Sequence, residues 1–236
     1  MIRRFLVVII VCLCAVQVDA AGLIRFYENA KVGYKNAEGK VIVPAKYAAG
    51  SEFINGLALI VSNNKRGFID STGKEVIAPQ FDDAAPFDLN LAPVKKDGKY
   101  GYINREGKFI VTPQYDEAYA YQEGFSKVKL NGKFGFVDGR GILVVPCMYD
   151  YADNFSIQLA AVQLKKKFGY INTKGDVALS FSYKAATAFN SVTRTAFVKI
   201  NKEYFEIKED GTIIRVVEDE EEQESKKRLN ELDTDK

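Results

Sequence analysis

Apolar and polar residues alternate over short runs, and the runs recur at a fixed interval. Phe125-Ser126-Lys127-Val128-Lys129 and Leu57-Ala58-Leu59-Ile60-Val61 both read as strands, copies of one element in different units. Turn-forming clusters separate the runs. Five glycines, Gly33, Gly67, Gly101, Gly135 and Gly169, stand 34 residues apart, and they set the frame for everything else. One residue after each comes an aromatic (Tyr34, Phe68, Tyr102, Phe136, Tyr170), and three after comes Asn or Asp. Six after comes a second glycine (Gly39, Gly73, Gly107, Gly141, Gly175). Fourteen after (Tyr47, Phe81, Tyr115, Tyr149, Tyr183) and twenty after (Phe53, Phe87, Tyr121, Phe155, Phe189) come further rings.

Each column has a local consequence. Asp70-Ser71-Thr72-Gly73 puts an Asx side chain at the head of a type I turn and glycine where the backbone turns left-handed, the chemistry of a tight hairpin. The next run, Lys74 to Pro79, predicts a second strand ended by proline, and a longer connection leads to a third strand such as Leu57–Val61. Asp97-Gly98 and Asn131-Gly132 are strong hairpin signals between units, so the third strand of one unit folds back onto the first strand of the next. The prediction is all-β: about five to six 34-residue antiparallel three-stranded units in tandem. Three strands fall short of the usual four-stranded propeller blade, which favours an open twisted solenoid over a closed propeller. A period of 34 also suits helical hairpin repeats, but glycines and prolines recur inside the would-be helices, at about 1 and 3 kcal/mol each. One unit alone buries too little apolar surface to fold, so neighbours must cover each other's rings. A sixth unit, Tyr204 to Gly211, reads as a terminal cap: Phe205 stands where the first glycine is expected, and the spacing has slipped by two.

These residues resemble the WG-containing, or KWG, repeat family. Gly98-Lys99-Tyr100-Gly101-Tyr102-Ile103-Asn104 and Gly132-Lys133-Phe134-Gly135-Phe136-Val137-Asp138 carry the likeness, with Gly107-Lys108 and Pro113-Gln114-Tyr115-Asp116 as the second half. The resemblance covers roughly residues 26 to 214. The chain departs from it in having no tryptophan: Val32, Arg66, Tyr100, Phe134 and Phe168 take that place. What it implies is an all-β repeat, often exported from bacteria, with no catalytic residue to carry over.

The ends differ from the array. Residues 1–20 read as a signal peptide: Arg3 and Arg4, an apolar stretch from Phe5 to Val16, then Val18-Asp19-Ala20 as a cleavage site. The stretch is shorter than the roughly 20 residues of a spanning helix, so the expectation is an exported chain beginning at Ala21, periplasmic, cell-surface or secreted, with no stable membrane span. The array occupies residues 21–217, and 218–236 form an acidic tail, disordered or a frayed helix. The net charge of +2 is made of +1 in the first segment, +6 in the array and −5 in the tail.

Composition narrows the chemistry. Histidine is absent, which removes the commonest acid–base group and zinc ligand. Cys147 is the one cysteine outside the signal, so no disulfide forms within the array, and its apolar surroundings suit a packed small hydrophobe. No catalytic, cofactor-binding or metal-binding residue is expected, and no cofactor. Lys65, Lys99, Lys133 and Lys167, each two residues before the glycine, would form a positive ridge able to meet a polyanion if stacked at one height; lysines at hairpin ends also serve to keep sheet edges unpaired. Asp82, Asp116 and Asp150 recur at one column, which points to a turn or capping role; read otherwise, they are the carboxylates of a glycan-active enzyme. The aromatic columns suit core rungs, with Tyr119 and Tyr121 the candidates for a sugar-stacking surface. Ser62-Asn63-Asn64-Lys65 matches a Ser-x-x-Lys string but lies in an inter-unit turn. The reading that fits is a non-catalytic exported module that binds a protein or an envelope polysaccharide, not nucleic acid.

Overall fold

A computed structural model describes residues 22–88 and 90–217. The predicted signal peptide and acidic tail lie outside the described residues. Within them the chain is strand and turn only, and no helix is long and apolar enough to cross a membrane.

Six antiparallel sheets follow one another along the chain. The first has three strands, β1 (Ile24–Glu28), β2 (Lys31–Lys35) and β3 (Val41–Tyr47). The second is β4 (Ala49–Gly50), β5 (Leu57–Ser62), β6 (Lys65–Asp70) and β7 (Glu75–Phe81), and the third β8 (Asp83–Ala84), β9 (Ala92–Lys96), β10 (Lys99–Ile103) and β11 (Phe109–Tyr115). The fourth is β12 (Glu117–Ala118), β13 (Phe125–Leu130), β14 (Lys133–Asp138) and β15 (Leu143–Tyr149), and the fifth β16 (Tyr151–Ala152), β17 (Leu159–Leu164), β18 (Lys167–Asn172) and β19 (Val177–Tyr183). The sixth is β20 (Ala185–Ala186), β21 (Thr195–Ile200), β22 (Glu203–Lys208) and β23 (Ile213–Val217). All six are simple meanders, and none closes into a barrel. Substantial contacts between sheets join consecutive ones, and none of the core clusters links the first sheet to the last.

The expected hairpins form. Asn131 and Gly132 take φ of 51° and 76° between β13 and β14, and Asp97-Gly98 does the same between β9 and β10. The second glycine of every unit is left-handed, as Gly141 is at 85°, with its amide bonded to Asp138 O. Two expectations are corrected. Sheets two to six have four strands, not three, because the second and third residues after Phe81, Tyr115 and their equivalents pair with the outer edge of the next long strand (Glu117↔Lys129, Ala118↔Val128). The proline does not end the second strand either. Strand β11 runs through Pro113 to Tyr115, because the register jumps from Tyr102↔Val111 to Tyr100↔Tyr115. Pro113 therefore sits in a bulge, where its missing N–H leaves no ladder bond unmade.

That bulge explains the 34-residue glycine. A Cβ on Gly101 would lie 2.4 Å from Val111 O and 2.8 Å from Pro113 N, so the two backbones meet where only glycine fits. The neighbouring aromatic turns to the next sheet. Phe136 packs on Phe155 with ring centroids 4.5 Å apart, and Tyr34 on Phe53 at 5.1 Å, in clusters that draw in Ala160, Val162 and Ile171 or Ala58, Ile60 and Ile69 of the following sheet. Each interface between sheets is thus a shared layer of rings. Phe205, without glycine, pairs regularly with Val216, and Tyr204 with Val217. The two-residue slip lies in the loop 187–194, which replaces six-residue loops such as 119–124.

Candidate functional site

The lysine and aspartate columns come together at one end of each sheet. Lys65, Lys99 and Lys133 open strands β6, β10 and β14 directly after a tight turn. Asp82, Asp116 and Asp150 follow β7, β11 and β15, one residue past a buried ring. Since Tyr100 pairs with Tyr115 in an antiparallel ladder, the next step of the register sets Lys99 opposite Asp116 at the sheet end. Lys65 Nζ and Lys99 Nζ each donate to the Asp82 and Asp116 Oδ1 at 2.5 Å, and Lys133 donates to Asp150 Oδ1.

The second carboxylate oxygen reaches the next sheet's hairpin. Asn131 N–H donates to Asp116 Oδ2 at 2.7 Å and Lys165 N–H to Asp150 Oδ2 at 3.0 Å; the Asp97 and Gly98 amides bond Asp82 in the same way. Successive amides in a left-handed turn make a small anion cradle, and the protein fills it with its own aspartate. The bonds from Lys65, Lys99 and Lys133 are the largest influence holding these three carboxyls below the usual aspartate range. Pairs this exposed contribute little to stability; what they do is pin one unit's rim to the next unit's turn. Three of the four ridge lysines are therefore partnered. Lys167 differs, because Lys184 stands where the other units have aspartate.

The remaining candidates separate cleanly. Tyr121 joins the core beside Tyr102 at 5.7 Å and donates to Asp138 O at 3.1 Å, whereas Tyr119 is exposed, with Lys127 Nζ 4.6 Å from its ring. In the tryptophan position Val32 is buried in the core, and Arg66, Tyr100, Phe134 and Phe168 are half-buried: Tyr100 Oη donates to Asp83 Oδ2 at 2.5 Å, and burial with that bond raises its pKa to about 12. Arg66 Nε pairs with the same Asp83 at 3.2 Å. Cys147 lies half-buried against the Tyr102–Tyr115 cluster, and burial raises its thiol, which suits packing rather than reactivity. Ser62 and Lys65 are cross-strand partners around the Asn63-Asn64 turn. Among the described residues no group of three metal-ligating side chains forms. Sequence reasoning did not join the lysine and aspartate columns; the signal was their constant 17-residue offset.

Among solved structures the chain is similar to a eukaryotic initiation factor, with a TM-score of 0.53 and 11% identity, over 81% of this chain and 62% of that one. It spans less than two thirds of that structure, and the likeness is one of fold alone. Hsv2p of Kluyveromyces lactis gives a TM-score of 0.46 at 9% identity, over 80% and 71% of the two chains. PorZ, a surface component of the type-IX secretion system of Porphyromonas gingivalis, gives 0.37 at 10%, over 83% and 31%. No curated protein matches the sequence. The pattern of the WG containing repeat matches residues 33–65, 67–100, 100–134, 134–168 and 168–204, five copies end to end, and the chain belongs to that family.

Proposed function

We propose that this chain is an exported, non-catalytic binding protein that presents the rims and faces of its stacked sheets to a protein or an envelope polymer. The observation that carries this reading is the commitment of Asp82, Asp116 and Asp150. Each carboxylate is spent on a lysine and on turn amides, and each is held ionised. A glycosidase needs one carboxyl poised to donate a proton and a second facing it across the scissile bond. A column repeated once per unit and locked as an anion is suited to structure instead. Repeat arrays with such rims offer long, quasi-regular surfaces for a partner.

Export rests on the sequence before Ala21, and amino-terminal sequencing of the protein recovered outside the cytoplasm tests it: a chain that keeps Met1 would remove this part of the reading. For the binding role, the mature protein immobilised against cell-envelope fractions is expected to retain a protein or polysaccharide. The alternative is separated by replacing Asp82, Asp116 and Asp150 together with asparagine. Glycan hydrolysis that is present in the native protein and lost in this variant, with the β-sheet spectrum intact, would make the chain an enzyme.

A further inference from the structure

One junction keeps the lysine and a two-residue turn but not the aspartate, and its turn is left-handed at the first residue only, where the others are left-handed at both. Lys167 opens β18 as Lys99 opens β10, and Asn201-Lys202 forms the following two-residue turn, with Asn201 at φ 57°. The residue between them in space has the same backbone setting as the aspartates: Lys184 N–H donates to Lys199 O at 2.7 Å, as Asp116 N–H does to Lys129 O and Asp150 N–H to Gln163 O at 2.8 Å. Its side chain, however, is a second cation. The first junction also lacks the acid, having Ala48 there beside Lys31, but it gains no charge in return.

We infer that the junction of the fifth and sixth sheets binds a carboxylate from outside, and that this group sits where Asp82, Asp116 and Asp150 sit at the other junctions. Lys167 takes the role of Lys99 toward it, the Asn201 amide the role of the Asn131 amide, and Lys184 adds a donor that the internal aspartate never had. Because the template of the site is an aspartate side chain, the ligand is an acidic segment of a polypeptide. Lys165 and Lys166 in the preceding turn and Lys202 in the following one stand at the same end of the sheets and receive neighbouring acids, with Glu203 setting a limit on one side. The inference rests on the binding role proposed above and supplies its ligand chemistry and place.

The test uses the full chain and fluorescently labelled hexa-aspartate, followed by anisotropy. Binding is expected at low salt, weakening as ionic strength rises. Lys184→Asp supplies the missing carboxylate from within, repeating the arrangement of three other junctions, so it fills the site without loosening the fold and is expected to weaken binding at least about tenfold. Lys167→Gln weakens it in the same direction. Lys99→Gln, at a junction already filled, leaves it unchanged. No binding, or binding indifferent to Lys184→Asp and Lys167→Gln, overturns the assignment, and so does a preference for polygalacturonate over hexa-aspartate. An envelope partner still captured by Lys184→Asp would sink this site while leaving the broader binding role standing.

Discussion

Gly135-Phe136 and Phe205-Glu206 occupy the same two columns of the repeat, and the structure around them differs in every respect that matters. At the first pair the backbone of β15 closes to contact at a bulge, and the Phe136 ring enters a layer shared with the next sheet. At the second pair Phe205 and Glu206 face Val216 and Arg215 in regular register, the shift coming only between Glu206 and Ile207, and the aromatic is replaced by a carboxylate. Glu206 accepts from Arg215 Nε at 2.6 Å and Thr195 Oγ1 at 2.8 Å, so a hydrogen-bonded carboxylate stands where the other units have a ring. An interior unit therefore uses glycine to bring backbones together and a ring to bind its neighbour. The sixth sheet, the last among the described residues, uses neither at these two positions.

The difference is broken most severely at the ring. Phe136→Ala opens a cavity between the fourth and fifth sheets, where Phe125 and Phe155 also pack, and is expected to cost about 3–5 kcal/mol. Glu206→Ala removes an ion pair to the exposed Arg215 and a bond from Thr195 but no ring from a shared layer, and is expected to cost clearly less. Denaturant titration of both variants checks this. Equal losses would mean that the rings do not carry the coupling between sheets.

The close approach comes next. Gly101→Ala forces a methyl to within 2.4 Å of Val111 O, a backbone atom that cannot swing aside, and is expected to cost about 2–3 kcal/mol. Its protection loss against hydrogen exchange should centre on β10 and β11. Phe205→Ala, at a position regularly paired with Val216, removes part of a half-buried ring at about 1–2 kcal/mol and leaves the register of β22 and β23 intact. A Gly101→Ala variant as stable as the native chain would show that the bulge yields freely.

How much of this could be read from the residues follows from the kind of information each feature needs. Turns and hairpins were legible because Asn131-Gly132 and Asp138 to Gly141 encode their own backbone angles locally. The ring columns were legible because a fixed offset places every copy in one packing layer. The two-residue strands such as β12 were not, since Glu117-Ala118 has no periodicity of its own and pairs only because Tyr115 and Asp116 deliver it to the edge of β13. The continuation of β11 through Pro113 depends on a bulge that only the approach of Gly101 defines. The lysine ridge was legible as a column of charge, but the aspartates that neutralise most of it come from a different strand, and only register joins them.

The smallest effect is the one that isolates those aspartates. Asp82, Asp116 and Asp150 have folded-state pKa values below the ordinary carboxylate, chiefly through their lysine bonds. Their contribution to stability is therefore complete above the unfolded value of about 3.9 and is lost as the pH falls through the lower folded values. Other carboxylates with lowered values, Asp70 and Glu206 among them, lose stability in the same range, so the overall slope does not identify the column. Replacing all three aspartates by asparagine does: the variant should lose less stability than the native chain between about pH 4 and pH 2. Amide exchange sharpens the assignment, because acid should loosen the 131–132 and 165–166 turns, which an aspartate holds, and leave the 201–202 turn beside Lys184 as it was. Identical acid slopes in the two chains, or loosening of all three turns alike, would mean that the column pins nothing, and that the junction with Lys184 differs from the others in charge alone.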